Sequence, residues 1–245
     1  MERPSKGQKS DLIYWGDSLL SRYLVVIPAH NEEAAIGAVI FDVQKQGFPC
    51  LVIDDASQDG TAEKARKCGV KVIRHPVRLG AWLAVQTGMK YAFQKGFEGI
   101  ITLDADGQHL PEHIREILTP VVLKKADVVI GACPERLSFQ RRLTSAFFRL
   151  LTGVPVKDLT SGFRVYNRQA LRFLISHPHV LIDYQDLGVL VALHQAGFRL
   201  KEVPVSMRPR KHGKSRVFYS WWEVVRYLTH TGLLGLAKQV RRGRS

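Results

Sequence analysis

Residues 99–109 read GIITLDADGQH, and the fold of the whole chain can be predicted outward from this stretch. The run at 99–103 is apolar or β-branched apart from its first glycine, which predicts a short buried strand ending at Asp104. Residues i and i+2 of an extended segment point the same way, so the Asp104 and Asp106 carboxylates are expected to face one place, with Gln108 extending the row. Oxygen ligands of this kind suit Mg²⁺ or Mn²⁺, which predicts a metal site here.

Short apolar runs alternate with helical patterns on both sides of this stretch. Strands are predicted at residues 24–27, 50–53, 70–73, 128–131 and 199–205. Helices are predicted at residues 32–46, 61–67, 79–93, 111–124, 169–175 and 186–195. Consecutive strand–helix units with nearly continuous apolar strands imply an α/β fold with a mostly parallel sheet and helices on both faces.

Polar residues follow two further predicted strands. Residues 28–33 read PAHNEE, and Asn31 is predicted to cap the helix that follows. Residues 54–61 read DDASQDGT, where Asp55 is predicted to contact a ribose hydroxyl or a base edge. Ser57 and Asp59 of the same segment are instead predicted to cap the next helix.

The carboxyl ends of the strands in such a sheet are where ligands bind, so these acidic ends support one another. The structural alternative for Asp104 is a polar turn in which one carboxylate only caps the next helix. That alternative becomes the weaker one because two other polar strand ends are expected at the same edge of the sheet.

Composition restricts the class of protein. A 245-residue chain with 45% hydrophobic residues can bury one sizeable core. Cys50, Cys68 and Cys133 form no CxxC pair and are expected to be reduced thiols in the cytoplasm. Residues 1–22 do not resemble a signal peptide, and the longest apolar stretch near the C-terminus, residues 227–237, is too short to span a bilayer.

The net charge of +14 suits nucleic acid, anionic lipid or a phosphorylated substrate. Charge alone suggests a nucleic-acid-binding protein, which is the alternative from a different functional class. The sequence contains no recognised nucleic-acid-binding motif, and such a function would leave the acidic strand ends unexplained. A nucleic-acid partner is therefore not expected.

These motifs, in this order, resemble the family 2 glycosyltransferases, which have the GT-A fold. The segments DLTSGFR at 158–164 and EVPV at 202–205 extend the match to residues 24–215. They are similar to the branch that includes dolichyl-phosphate mannosyltransferases and bacterial polyprenyl-phosphate sugar transferases. The resemblance implies metal-dependent transfer of a sugar, with inversion, from an NDP-sugar to a polyprenyl (dolichyl or undecaprenyl) phosphate.

The resemblance also implies roles for individual residues. It places the nucleotide sugar against Pro28, His30, Glu32, Ile53, Asp55, Asp104, Ala105, Asp106 and Gln108. Among these, it implies a metal site formed by Asp104, Asp106 and Gln108. The catalytic residues it implies are Asp106, Asp158 and Arg210. Its basic loop corresponds to residues 210–216, RKHGKSR, where Arg210, Ser215 and Arg216 would fold over the substrates.

Two departures from the family pattern concern the acceptor. After the strand at 128–131 the family usually has a Gly-Ser-Arg-Tyr segment, whereas residues 131–134 read GACP. Arg136 or Arg141 is therefore expected to hold the acceptor phosphate. The chain also lacks the transmembrane helices that some members append. If the acceptor is instead a saccharide hydroxyl, a carboxylate base is needed and Asp186 is the candidate.

The expected organisation has three parts. Residues 1–22 form an N-terminal extension, residues 23–217 the GT-A domain, and residues 218–245 an amphipathic helix with a basic tail. Tryptophans beside an apolar stripe, followed by arginines, suit a membrane interface, whereas a helix docked on the core is the alternative. The first interpretation predicts a peripheral protein on anionic membranes, on their cytoplasmic face.

Overall fold

Seven strands among the described residues form one mixed sheet in the order β3-β2-β1-β4-β6-β5-β7. The computed structural model describes residues 15–133, 149–150, 152–177 and 185–208. In chain order the strands are β1 (Tyr23–Ala29), β2 (Cys50–Asp54), β3 (Lys71–Arg74), β4 (Gly99–Thr102), β5 (Val128–Ala132), β6 (Arg164–Asn167) and β7 (Leu200–Pro204). The predicted α/β class with helices around a mostly parallel sheet is confirmed.

All the described helices except the short α1 fall where the sequence pattern predicts them. They are α1 (Asp17–Leu20), α2 (Glu33–Lys45), α3 (Thr61–Lys67), α4 (Ala81–Gln94), α5 (Ile114–Val122), α6 (Arg168–Ser176) and α7 (Gln185–Gln195). The helix predicted from Pro111 begins as a 3-10 turn, Pro111–His113, because proline suits a first turn that needs no amide donor. None of the helices in these described ranges is both long and apolar enough to cross a membrane.

Strand β6 is the feature that the sequence prediction missed. It lies between β4 and β5 and runs antiparallel to both, so that Val165 pairs with Ile101 on one side and Val129 on the other. The other pairings, β1 with β2 and β4, β2 with β3, and β5 with β7, are parallel. Residues 164–167 were predicted as part of a loop because four residues carry too little periodicity to indicate a strand.

Helices cover both faces of the sheet, and each face has its own core. Alternate residues of one strand serve the two cores, since Val26 packs with α4 residues such as Met89, whereas Ile27 packs with α2 residues such as Ile36. Helix α4 approaches β1 closely: a Cβ at Gly88 would lie 2.3 Å from Val26 Cγ1. This close approach fixes α4 against the strand that leads into the site.

Candidate active site

Three polar segments meet at one edge of the sheet because β2 and β4 flank β1 in parallel. Ala29 at the end of β1 is in register with Asp54 at the end of β2. On the other side, the Leu103 amide donates to the Val26 carbonyl at 3.2 Å, which carries the chain from β4 directly into Asp104. The structure thus brings residues 28–33, 54–61 and 104–109 to the same carboxyl edge.

The first two segments are joined by a reciprocal set of hydrogen bonds. The amides of 31–33 donate to side chains of the second segment, in the pairs Asn31 to Ser57 Oγ (3.0 Å), Glu32 to Thr61 Oγ1 (2.9 Å) and Glu33 to Asp59 Oδ2 (3.1 Å). In return, Asn31 Oδ1 accepts from the Gln58 amide at 2.8 Å. The prediction that Asn31 caps α2 is wrong: the N-cap residue is Glu32, and the amide of Glu33, the first residue of α2, donates to Asp59 of the second segment.

An open cleft of about 900 Å³ lies beside these segments. Its lining residues come from the ends of β1, β2 and β3: His30, Asn31, Ala56, Ser57, Gln58, Asp59, Arg74, Pro76, Val77 and Arg78. Asn31 and Ala56 have φ of 54° and 56°, a left-handed conformation that non-glycine residues seldom adopt. Such strain is concentrated at functional sites, and the cleft volume lies in the range of small-molecule sites.

Asp55 lies behind this cleft and has its own set of donors. Its Oδ1 accepts from His75 Nδ1 at 2.9 Å and from the Leu79 amide at 2.8 Å, and its Oδ2 accepts from the Gly80 amide at 2.7 Å. Burial raises the pKa of this carboxyl, but the hydrogen bonds from Leu79, His75 and Gly80 outweigh burial and bring the pKa below its usual value. The predicted contact of Asp55 with the nucleotide stays a prediction.

Asp104 has a different environment from Asp55. Its side chain is 49% exposed, and its Oδ2 lies 3.6 Å from His109 Nδ1. The Asp104 amide donates to the same His109 nitrogen at 3.2 Å, while the His109 ring is buried and stacks on Phe163 at 5.2 Å. The carboxylate rests against Gly162, where a Cβ would come within 2.6 Å of Asp104 Oδ1.

Asp106 and Gln108 form a tight turn through Gly107, whose φ of 74° favours glycine. The Gln108 amide donates to Asp106 Oδ1 at 3.0 Å, and the Gln108 side-chain amide donates to Asp106 Oδ2. Gln108 Oε1 is buried and has no hydrogen-bond partner among the described residues. A buried acceptor without a partner costs about 1–3 kcal/mol, so a bound cation or donor would remove a penalty here.

The oxygen atoms at this turn fit a hard divalent cation. Asp104 supplies an open carboxylate, Asp106 a second one, and Gln108 an unsatisfied amide oxygen. Within the described residues, no three His, Cys, Asp or Glu side chains form a metal cluster. This donor set is therefore incomplete by itself, as expected for Mg²⁺ or Mn²⁺ that takes further ligands from a diphosphate and water.

The segment 158–164 packs beside residues 104–109: Gly162 lies against Asp104, and Phe163 stacks on His109. Arg164 is almost completely buried, and its guanidinium donates to the carbonyls of Ser161 (2.7 Å) and Leu159 (2.9 Å). Thr102 Oγ1 donates to the Gly162 carbonyl at 2.6 Å, which holds Gly162 beside Asp104. The sequence predicts no separate role for Gly162 or Arg164. The contacts of Gly162 with Asp104 and Thr102 arise only when distant parts of the chain pack together.

Asp158 lies at the end of β5 and is buried. Its Oδ1 accepts from the Thr160 amide and hydroxyl, both at 3.1 Å, and its Oδ2 accepts from the Cys133 amide at 3.4 Å. These contacts connect residues 158–160 to Cys133, the residue that follows β5. The catalytic role predicted for Asp158 stays a prediction.

Several predicted site residues lie outside the described residues. They are Arg136, Arg141, Arg210, Ser215 and Arg216, together with the Asp186 side chain and the C-terminal helix. The chain leading into the basic loop is described as far as Arg208, whose amide donates to the Gln108 carbonyl at 2.9 Å. Arg208 therefore lies beside the Asp106–Gln108 turn.

Comparison with known proteins identifies the family. The Glycosyl transferase family 2 profile matches residues 24–175. Polyprenol monophosphomannose synthase of Mycolicibacterium smegmatis is 27% identical over 218 residues, covering 80% of this chain and 81% of that protein. UDP-N-acetylglucosamine–dolichyl-phosphate N-acetylglucosaminyltransferase of Methanococcus voltae is 28% identical over 209 residues, covering 74% of this chain and 83% of that protein.

A solved structure shares the fold. Glucosyl-3-phosphoglycerate synthase from Mycobacterium tuberculosis, in complex with Mn²⁺, UDP and phosphoglyceric acid, has a TM-score of 0.65 and 20% identity. The likeness covers 84% of this chain and 78% of that chain. Fold, strand-end motifs and the family match agree, and the predicted resemblance is confirmed. The chain belongs to glycosyl transferase family 2 and is a glycosyltransferase that uses a nucleotide sugar.

Proposed function

We propose that this enzyme transfers a sugar from an NDP-sugar to the phosphate of a polyprenyl lipid and requires Mg²⁺ or Mn²⁺. The observation that carries the proposal is the open Asp104 carboxylate beside Asp106, at the edge of the sheet where α/β proteins bind ligands. The acceptor class is supported by the two relatives described above, whose names specify a polyprenol or dolichyl phosphate but different sugars.

Asp104, Asp106 and Gln108 would hold the cation, and the two hydrogen bonds that Gln108 donates to Asp106 would also orient that carboxylate. A bound divalent cation supplies Lewis-acid stabilisation of the charge that develops on the leaving diphosphate. The presence of Mn²⁺ and UDP in the structure of the same fold supports this assignment. The cleft beside His30 and Arg74 would receive the nucleoside, together with the predicted contacts of Pro28, Glu32 and Ile53.

A lipid phosphate needs little activation as a nucleophile. The second pKa of a phosphate monoester is about 6, so it is largely dianionic at neutral pH and no strong general base is required. Asp158, bonded to Cys133 and Thr160, would then shape the acceptor side and would not remove a proton. Arg210, Ser215 and Arg216, with Arg136 or Arg141, would bind the acceptor phosphate and exclude water.

The acceptor also suggests where the enzyme works. A peripheral position on the cytoplasmic face of an anionic membrane would follow from the basic, tryptophan-containing segment 218–245. In a flotation assay, the full chain should float with anionic liposomes, whereas a chain truncated after Tyr219 should stay in the bottom fraction. If both forms stay in solution at low salt, this attachment is wrong.

A transfer assay tests the function directly. The full chain is incubated with UDP-glucose, UDP-N-acetylglucosamine or GDP-mannose and with undecaprenyl or dolichyl phosphate in detergent. We expect one donor to give a lipid-extractable sugar product with Mn²⁺ and none in excess EDTA. Transfer that persists in EDTA would contradict the metal role, and transfer only to saccharide hydroxyls would contradict the lipid acceptor.

A further inference from the structure

A buried hydrogen bond between His75 and Asp55 lies next to the cleft, and neither residue is part of the cleft lining. The His75 and Asp55 side chains are 7% and 4% exposed, and His75 Nδ1 lies 2.9 Å from Asp55 Oδ1. A carboxylate at neutral pH can only accept, so Nδ1 carries the hydrogen and donates it. The other ring nitrogen, Nε2, lies 2.9 Å from Thr87 Oγ1 on α4, which fixes the plane of the ring.

The same carboxylate holds the backbone that follows His75. It accepts from the amides of Leu79 (2.8 Å) and Gly80 (2.7 Å), so three donors of residues 75–80 converge on one side chain. Gly80 has a φ of 95° and directly precedes α4. Releasing the carboxylate would leave two amides without acceptors, at a cost of about 1–3 kcal/mol for each that stays buried.

Residues 76–80, here named the wall segment, make few other contacts within the part of the chain that the structure describes. Pro76, Val77 and Arg78 line the cleft, and Val77 and Leu79 are 60% and 42% exposed. A segment that buries so little apolar surface takes its conformation mainly from backbone hydrogen bonds. In the wall segment, the acceptor of two such bonds is Asp55.

We propose that His75 acts as a positioning residue: through its bond to Asp55 it fixes the wall segment and so sets the affinity of the cleft for the donor nucleotide, without touching the nucleotide itself. The proposal rests on the proposed function in that the cleft is taken to bind the nucleoside. It assigns a role to His75, and the direct nucleotide contact predicted for Asp55 stays a prediction.

Two substitutions at His75 separate the Asp55 bond from all other effects of the ring. Asn carries its amide nitrogen on Cγ, as His carries Nδ1, so His75→Asn can still donate to Asp55. Gln carries its amide nitrogen one atom further, as His carries Nε2, so His75→Gln can reach Thr87 but not Asp55. The two variants are similar in polarity and differ in the bond that the proposal requires.

The measurements are the Kd values of UDP and GDP with Mn²⁺, and hydrogen exchange of the wall segment without ligand. We expect His75→Gln to weaken nucleotide binding about tenfold, as for one lost hydrogen bond to a charged group, and to speed exchange at Leu79 and Gly80. His75→Asn should stay within about threefold of the wild type in Kd, with exchange close to normal.

Asn167→Ala is the control for stability alone. It removes bonds to Asp127 and to the Ala170 amide, far from the cleft in sequence, and should lower stability while leaving Kd and wall-segment exchange unchanged. Equal Kd values for the wild type and both His75 variants would overturn the proposal. Equal weakening by Asn and Gln, with unchanged exchange, would overturn it too, since that pattern indicates direct contact of the ring.

Failure of the proposed function would look different. If no lipid product forms but His75→Gln weakens nucleotide binding as expected, the acceptor assignment is wrong and the positioning role stands. If the wild type binds neither UDP nor GDP, the nucleotide-binding cleft is refuted and the link to donor affinity falls with it. Exchange at Leu79 and Gly80 then still shows whether His75 holds the wall segment.

Discussion

Two acidic regions at the same edge of the sheet are held in opposite ways. In residues 54–59, Asp55 is buried under three donors, and Asp59 accepts from the amides of Glu33 and Thr61. At Asp104, about half of the side chain remains exposed and a glycine stands where a side chain would collide with it. The first region uses its carboxylates to connect segments of the chain, whereas the second leaves one open to a ligand.

The comparison separates carboxylates that have a structural role from carboxylates that are available to a ligand. Burial raises the pKa values of Asp55 and Asp59, yet hydrogen bonds from amides and neighbouring side chains outweigh it and lower both. A carboxylate surrounded by donors in this way is stabilised as an anion by the protein itself. The Asp104 anion would instead be stabilised by a ligand that binds beside it.

Substitution of Asp104 or Asp106 should have the largest effect on activity. Asp104→Asn and Asp106→Asn should each reduce turnover by on the order of a thousandfold, because several kcal/mol of charge stabilisation at the diphosphate is lost. The melting temperature should change little. Asp17→Asn, an exposed acid in α1, serves as the charge-matched control, and a fully active Asp106 variant would refute the assigned role.

A steric change at the same place should have the next largest effect. In Gly162→Ala the new methyl group would lie 2.6 Å from Asp104 Oδ1, so the carboxylate must move. We expect roughly a ten- to hundredfold loss of kcat/KM, as for a displacement of about 1 Å in a catalytic group. Gly37→Ala, whose nearest neighbour would be the flexible Lys64 side chain at 3.2 Å, is the matched control. Equal activity of both variants would contradict the role of Gly162 in positioning Asp104.

A change in the connecting region should affect stability more than activity. Asp59→Ala removes the acceptor for the Glu33 and Thr61 amides at two helix N-termini and should cost about 1–2 kcal/mol. Turnover below the melting temperature should stay within about threefold of the wild type. Urea unfolding and initial rates measure the two quantities, and a large loss of rate in a stable variant would place Asp59 in the chemistry.

The smallest expected effect is on the pH dependence of stability. The pKa of Asp59 is lowered in the folded state, so its contribution is complete above the unfolded value of about 3.9 and is lost as pH falls through the folded pKa. Asp59→Asn should therefore flatten the loss of stability below about pH 4. Urea midpoints at pH 7, 5 and 3.5 test this, and parallel curves for wild type and variant would contradict it.

The α/β class, six of the seven described strands and the three polar segments at strand ends could be predicted from the sequence alone. It could do so because hydrophobic periodicity is local: a run such as residues 24–27 indicates a strand without reference to its neighbours. The order of the motifs along the chain was also enough to indicate the family, because the acidic ends follow the strands directly.

The position of β6 and the exposure of each carboxylate to a ligand follow from tertiary contacts that the sequence does not show. Val165 is paired with Ile101 and Val129, Asn31 with Gln58, and Asp55 with Leu79 and Gly80. Each of these bonds joins residues that are at least 24 positions apart, so no local pattern contains them. Whether a carboxylate is enclosed by donors or faces a ligand depends on which distant backbone packs against it, and that is decided when the chain folds.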